Sequence, residues 1–431
     1  MYRKIIEFFE AWRNNEHRKP LILQGARQVG KTYSILEFGR THYENVAYFN
    51  FETNPKLNKT FEENISPDYL IPILSHISGQ TIVKEKTLIV FDEVQLCERA
   101  LTSLKYFCED APDYHIIVAG SLLGVAVNRT KFSFPVGKVD MKTLYPMDME
   151  EFMLAMGADS LVEQIRKCFE TDTPLPSALH DVAMQLYRQY LIVGGMPEFV
   201  MQFAETKDYI LVRHTQDTIL ASYLNDMSKY NNLNEIKKTR LAYDNITVQL
   251  SKKNTRFQYK LIKKGGRASE FENAIEWLCL SGIVSQVYKV IQIKKPLENY
   301  RDIDAFKIYV SDLGLLCAKK DLTASDILYM FEELNDFKGG MVENYVNVQL
   351  TINGYHTYYW ESARGAEIDF VIQRNGKLIP IEVKSADNTK AKSLKVYMDT
   401  YHPTYAIKLS TKNFAFEDNK KIVPLYAAFC I

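Results

Sequence analysis

The stretch Gly25-Ala-Arg-Gln-Val-Gly-Lys-Thr32 follows the apolar run Pro20-Leu-Ile-Leu23 and leads into Tyr33-Ser-Ile-Leu-Glu-Phe38. It fits the pattern G-x-x-x-x-G-K-[ST] in the context that the pattern requires, a strand before it and a helix after it. Glycine at positions 25 and 30 permits backbone angles and close approach that a Cβ would obstruct, so successive N–H groups can wrap a phosphate. The new helix points the positive end of its dipole at that anion. The expected nucleotide contacts are therefore Gly25, Ala26, Arg27, Gln28, Val29, Gly30, Lys31, Thr32 and Tyr33. Lys31 reaches the β- and γ-phosphates, and the Thr32 hydroxyl ligates Mg²⁺.

Working outward, Ile5, Ile6, Phe9 and Trp12 share one face of a short helix over 3–14, and Val46–Phe51 reads as a second strand. Thr87-Leu-Ile-Val-Phe-Asp-Glu93 is a buried strand that closes in two adjacent acids. Ligands of an α/β sheet sit at the carboxyl ends of its strands. That puts Asp92 where it can hold the Mg²⁺ bound by Thr32, and Glu93 where it can polarise a water. A further strand, His115–Ser121, ends in Ser121, which either faces the γ-phosphate or caps the following helix. Strands alternating with helices predict a parallel, doubly wound sheet.

The chain has 431 residues, 46% hydrophobic and 25% charged, so several globular domains are expected. Lys+Arg and Asp+Glu balance at 53 each, which restricts any nucleic-acid surface to a local patch. The six cysteines are scattered without a C-x-x-C pair, as expected for reduced thiols in the cytoplasm rather than for a disulfide frame or a zinc site. No run approaches the length of a membrane span, so no membrane partner is expected.

The segments GARQVGKT (25–32), LIVFDE (88–93), IIVAGSLLG (116–124) and FSFPVGKVDMKTLYPMDMEEF (132–152) together resemble the AAA+ superfamily ATPases of bacteria and archaea. More narrowly they resemble the group whose carboxy-terminal half is a domain of unknown function. The resemblance implies an ATP- and Mg²⁺-dependent ATPase over residues 1–155. That group usually has Gly-Arg where this chain has Gly137-Lys138, so Arg129 and Lys138 remain as substitutes for an arginine finger, and lysine lacks the planar fork. Tyr190-Leu-Ile-Val-Gly-Gly-Met-Pro197 and Ser311-Asp-Leu-Gly-Leu315 also match stretches of the group. The first reads as a hinge or as a plain helix–helix turn.

Residues 156–230 read as a helical lid or connector, and 231–320 as a winged helix with its third helix at Ala268–Leu280 and strands at Ile283–Val290 and Phe306–Val310. Lys252, Lys253, Arg256, Lys260, Lys263, Lys264 and Arg267 form a run without an acid, a footprint for DNA. Glu270, Glu272 and Glu276 on the third helix oppose that reading and leave a protein partner equally open.

Over 321–431, a helix at Gly340–Leu350 carries Glu343. A hairpin follows, from Ala366–Ile372 through Arg374-Asn-Gly376 to Lys377–Lys384. Asp369 and Glu382-Val-Lys384 have the spacing of the PD-(D/E)xK nuclease fold, which makes an α/β restriction-endonuclease-like domain the expectation. Glu343, Asp369 and Glu382 would then hold Mg²⁺, and Lys384 would orient a water. Two functions follow. One is an ATPase whose nucleotide state moves a DNA-binding, nuclease-like carboxy-terminal half. The other is a slow ATP-gated switch that contacts a protein partner, with the nuclease-like domain as scaffold.

Overall fold

A computed structural model describes residues 1–121, 135–227, 233–252, 256–385 and 392–431, with the side chains of residues 121, 332, 335 and 336 outside that set. The chain forms two compact units, residues 2–145 with 280–282, and residues 146–279 with 283–431.

The first unit is built on a five-stranded parallel sheet. Its strands are β1 (Leu21–Gly25), β2 (Asn45–Asn50), β3 (Thr87–Asp92), β4 (His115–Ser121) and β5 (Asp140–Thr143), in the order β2-β3-β4-β1-β5. Every residue of β3 is buried, as a central parallel strand covered on both faces requires. One face packs Phe49, Phe51, Phe61 and Phe91, whose rings meet edge-on or tilted at centroid distances of 5.6–6.0 Å. The amino-terminal helix Ile5–Arg13 buries Ile5, Phe9 and Trp12, a helical stripe matching the sequence reading. This compact unit runs to residue 145. Tyr190 Oη donates to the Met147 carbonyl at 2.7 Å, and the Met149 N–H donates to Gln349 Oε1 at 3.0 Å, so the helix Met149–Ala155 is held inside the second unit.

The second unit contains an eight-stranded mixed sheet with a set of helices. Its strands are β6 (Val284–Val290), β7 (Arg301–Val310), β8 (Tyr358–Glu361), β9 (Glu367–Arg374), β10 (Lys377–Val383), β11 (Ala406–Ser410), β12 (Ala415–Glu417) and β13 (Lys420–Pro424). They run in the order β12-β13-β11-β10-β9-β8-β6-β7. The β9–β10 hairpin turns on Asn375 (φ 47°) and Gly376 (φ 71°), the two left-handed residues that a tight primed turn needs.

The strands expected for a winged helix have a further partner. β6 and β7 pair antiparallel as a wing would, but β6 also pairs in parallel with β8, Tyr288 opposite Tyr358 and Lys289 opposite Tyr359. The edge of β6 is therefore filled by the carboxy-terminal sheet, and no break falls at residue 320. Asp312 caps a new helix, Leu313–Lys319, by accepting the Leu315 N–H.

No helix among the described residues is long and apolar enough to cross a membrane.

Candidate functional site

The loop between β1 and the helix Lys31–His42 has the strained backbone that its glycines predict. A Cβ on Gly25 would stand 2.3 Å from the Leu144 carbonyl oxygen, a separation no real contact reaches. Gly30 at φ 89° and Gln28 at φ 65° are left-handed, which curls the chain so that successive N–H groups make an anion-binding concavity. The first turn of the helix carries no acid, so nothing there competes with a bound anion.

Lys31 folds back on the loop, its Nζ donating to the carbonyls of Gly25 (3.0 Å) and Ala26 (2.8 Å). Burial pushes its pKa down to about 8; the charges of Glu93 and Asp92 oppose that shift, and Arg27 adds to it. Thr32 and Asp92, far apart in sequence, meet because parallel strands end at the same edge: Thr32 Oγ1 donates to Asp92 Oδ2 at 2.9 Å. The other Asp92 oxygen accepts the Glu93 N–H at 3.0 Å. Glu93 itself is left-handed at φ 52°, a conformation that costs a non-glycine residue about 1–2 kcal/mol, and its carboxylate accepts from Gln95 Nε2. Strain of this kind concentrates at functional sites.

Two residues of this site were not identified from the sequence. Tyr48 Oη donates to Asp92 Oδ2 at 2.7 Å, so two hydroxyls converge on one carboxylate oxygen. Arg3, 4% exposed, donates to the Val29 carbonyl (3.1 Å) and the Tyr145 carbonyl (2.8 Å), bracing the loop from behind. The one signal for Arg3 was a cation next to an apolar helical stripe; for Tyr48 there was none beyond strand alternation. Tyr33 is exposed. The backbone of Ser121 lies opposite Gly25 in the sheet, and its side chain is outside the described residues, as is Arg129. Lys138 pairs with Glu109 at 2.9 Å.

The acids expected to form a nuclease centre lie in the second unit in different company. Lys307, inside β7 and 1% exposed, places its Nζ 3.3 Å from Glu343 Oε2 and 2.5 Å from Glu367 Oε1. Tyr309 Oη donates to the same Glu343 oxygen at 3.0 Å. Burial alone would lower the Lys307 pKa, but Glu343, Tyr309, Glu367 and Asp369 outweigh it and hold the ammonium charged. Burial, reinforced by the Glu343 charge, pushes Asp369 up, and its Oδ2 accepts the Val383 N–H at 2.7 Å. Glu382, 1% exposed, pairs through Oε1 with Lys384 at 2.9 Å, and its Oε2 has no hydrogen-bond partner among the described residues.

Among the described residues, no three His, Cys, Asp or Glu side chains are placed to hold a metal ion. The acids expected to form such a trio have partners within the chain: Glu343 contacts Lys307 and Tyr309, and Lys384 pairs with Glu382. The sequence signal overlooked was a lone lysine within the apolar run Ala305-Phe-Lys-Ile-Tyr-Val310.

The Gly-Gly stretch and the Ser-Asp-Leu-Gly stretch meet in the second unit. The buried Asp312 carboxylate accepts the Gly195 N–H (2.7 Å) and the Leu315 N–H (2.8 Å). A Cβ on Gly195 would be 2.1 Å from the Met147 carbonyl oxygen, and one on Gly314 would be 2.2 Å from that of Val193. Of the two readings for 190–197, this packing supports a locked turn over a hinge. Burial raises the Asp312 pKa to about 6 despite those N–H donors.

Residues 17–153 match the family model described as AAA domain. With the loop, the parallel sheet and the Thr32–Asp92 pair, they form an AAA-type P-loop ATPase domain. Residues 184–326 and 338–428 match two models described as domains of unknown function, DUF8612 and DUF4143. No curated protein matches the chain. Among solved structures, the Walker-type ATPase PABY2304 of Pyrococcus abyssi is similar at 13% identity, over 74% of this chain and 95% of that one, with a TM-score of 0.45. The Aeropyrum pernix ORC1 protein in complex with DNA is similar at 12% identity, over 74% and 91%, with a TM-score of 0.29. The Thermotoga maritima RuvB Holliday junction branch migration motor is similar at 12%, over 65% and 87%, with a TM-score of 0.28. Likenesses of this size carry no argument about mechanism or partners.

Proposed function

We propose that the chain binds ATP with Mg²⁺ and hydrolyses it, and that its nucleotide state is read out by the second unit. The observation that carries this reading is the Thr32–Asp92 contact of 2.9 Å beside Lys31, at the edge where a parallel sheet presents ligands. Thr32 and Asp92 are hard oxygen donors that suit Mg²⁺, which, when bound, neutralises charge on the β- and γ-phosphate oxygens. Lys31 exchanges the carbonyls of Gly25 and Ala26 for phosphate oxygens. Tyr48 keeps the Asp92 carboxylate oriented. Glu93 aligns the attacking water once Gln95 releases it, and Ser121 is the remaining polar side chain proposed near the γ-phosphate.

For the second unit, the scaffold reading is favoured by the ammonium groups that occupy its carboxylates. The restriction-endonuclease-like description of its sheet is part of this proposal, supported by the β9–β10 hairpin and the helix that carries Glu343. A DNA-contacting reading is supported by the exposure of Lys252, Arg256, Lys260, Lys264 and Arg267, although Lys263 is paired with Glu270 at 2.9 Å.

The test is steady-state ATP hydrolysis at about 0.1 M salt, with and without duplex DNA. Mg²⁺-dependent turnover that disappears in Lys31→Ala is expected; ATP affinity within threefold of wild type in that variant would refute the phosphate-loop role. DNA stimulation with a steep salt slope would favour the DNA reading, and flat turnover would favour a protein partner.

A further inference from the structure

We propose that the Lys307 ammonium, standing between Glu343 and Glu367, is the resident cation of the carboxy-terminal carboxylate cluster, so that this cluster binds no catalytic metal. The inference concerns the second unit alone and holds whether or not the first unit hydrolyses ATP. Its basis is geometric. The helix Asn335–Ile352 is pinned to the end of β7 by a two-way bond, with the Val310 N–H donating to Asn344 Oδ1 at 2.7 Å and Asn344 Nδ2 donating to the Val310 carbonyl at 2.8 Å. That bond fixes the register, and the residue preceding Asn344 is Glu343, whose carboxylate lies over Lys307 and Tyr309 of the same strand.

Lys307 thereby bridges Glu343 and Glu367, one acid from the helix and one from β9, at 3.3 and 2.5 Å. A divalent ion bound to Glu343 at about 2.0–2.6 Å would face this ammonium across a few ångströms of protein interior, where like charges repel strongly. Lys384 neutralises the second acid, Glu382, at 2.9 Å. The ammonium cannot swing out to water, since Lys307 is 1% exposed and its head lies 5.1 Å from the centre of the Tyr359 ring. Two carboxylates, one from a helix and one from a strand, thus share one cation supplied by the chain.

The experiment is a Mn²⁺ titration of the full-length, nucleotide-free chain followed by electron paramagnetic resonance. Wild type is expected to show no site in this cluster tighter than about 1 mM, the weak end of carboxylate binding. Lys307→Met, which removes the charge and keeps the apolar stem, is expected to gain one Mn²⁺ site at least about tenfold tighter, lost again in Lys307→Met/Glu343→Gln. If Lys307→Met does not fold, the wild-type titration decides alone. A wild-type site that disappears in Glu343→Gln or Asp369→Asn overturns the proposal, whereas one that disappears only in Asp92→Asn supports it. A folded Lys307→Met that binds Mn²⁺ no better than wild type also overturns it.

Discussion

Gly195→Ala tests the claim that the two glycine-containing stretches of the second unit lock together. The added methyl would sit 2.1 Å from the Met147 carbonyl oxygen and 3.0 Å from both the carbonyl carbon and the amide nitrogen of that residue. Relief from 2.1 Å needs a shift of about 1.4 Å, since ordinary contact lies at about 3.5 Å. A shift of that size breaks the Met147 N–H···O=C Gly195 bond of 2.6 Å and the Gly195 N–H···Asp312 bond of 2.7 Å. The first contributes about 1 kcal/mol and the second, to a charged acceptor, about 1.5–3 kcal/mol. Leaving the buried carboxylate short of a donor adds desolvation cost, so the total loss is about 3–5 kcal/mol, against about 5–15 kcal/mol for a typical domain. The assay is urea unfolding followed by circular dichroism and by tryptophan fluorescence, with Gly339→Ala as control. Gly339 is in the helix Asn335–Ile352 with nothing within 4 Å of an added Cβ, so alanine there should stabilise by about 0.5–1 kcal/mol. A Gly195→Ala chain within about 1 kcal/mol of wild type would refute the close-approach argument.

The Lys31 amine, held at a pKa of about 8 by burial, should take up a proton when ATP phosphates replace the carbonyls it now contacts. Calorimetry near pH 8 in buffers of different ionisation enthalpy should show that uptake in wild type, and its persistence in Lys31→Met would assign it elsewhere. Glu93→Gln should keep ATP affinity within a few-fold and slow hydrolysis by about 100-fold or more; unchanged turnover would remove Glu93 from the chemistry. Asp312 has a folded pKa of about 6 against an unfolded 3.8, so the folded chain binds the extra proton and the associated stability, about 3 kcal/mol, is complete below pH 3.8 and lost as pH rises through 6. Comparing unfolding of wild type and Asp312→Asn between pH 5 and 7 checks this, since the variant should lose that component of the slope; equal slopes would show that Asp312 does not titrate in this window.

The amino-terminal site was legible in sequence because its chemistry is local. Gly25, Gly30, Lys31 and Thr32 act through one loop and one helix start, and the apolar run ending at Asp92 marks a strand whose tip must reach the same edge. Neither Tyr48 nor Arg3 belongs to such a pattern: each acts through side-chain bonds to residues distant in sequence. The carboxy-terminal acids show the opposite outcome from equally suggestive spacing. Alternation along β9 and β10 brought Asp369 and Glu382 to the sheet, and a helix brought Glu343, yet the same pattern suits an acid holding Mg²⁺ and an acid holding an ammonium. On the proposal above, Lys307 decides between them from a strand 62 residues upstream of Asp369 (369 minus 307). Likewise the sequence showed a strand pair at 283–310, but only the pairing of β6 with β8 joined that pair to the carboxy-terminal sheet. Sequence by itself determined the phosphate loop, the parallel sheet behind it and the approximate spans of β1, β2, β3, β4, β6, β7, β9 and β10, because dihedral preference and burial periodicity are properties of neighbouring residues. Tertiary structure alone decided which charges neutralise each other, which strand edges are filled and which glycines are in contact, because those energies depend on distances through space that spacing along the chain does not encode.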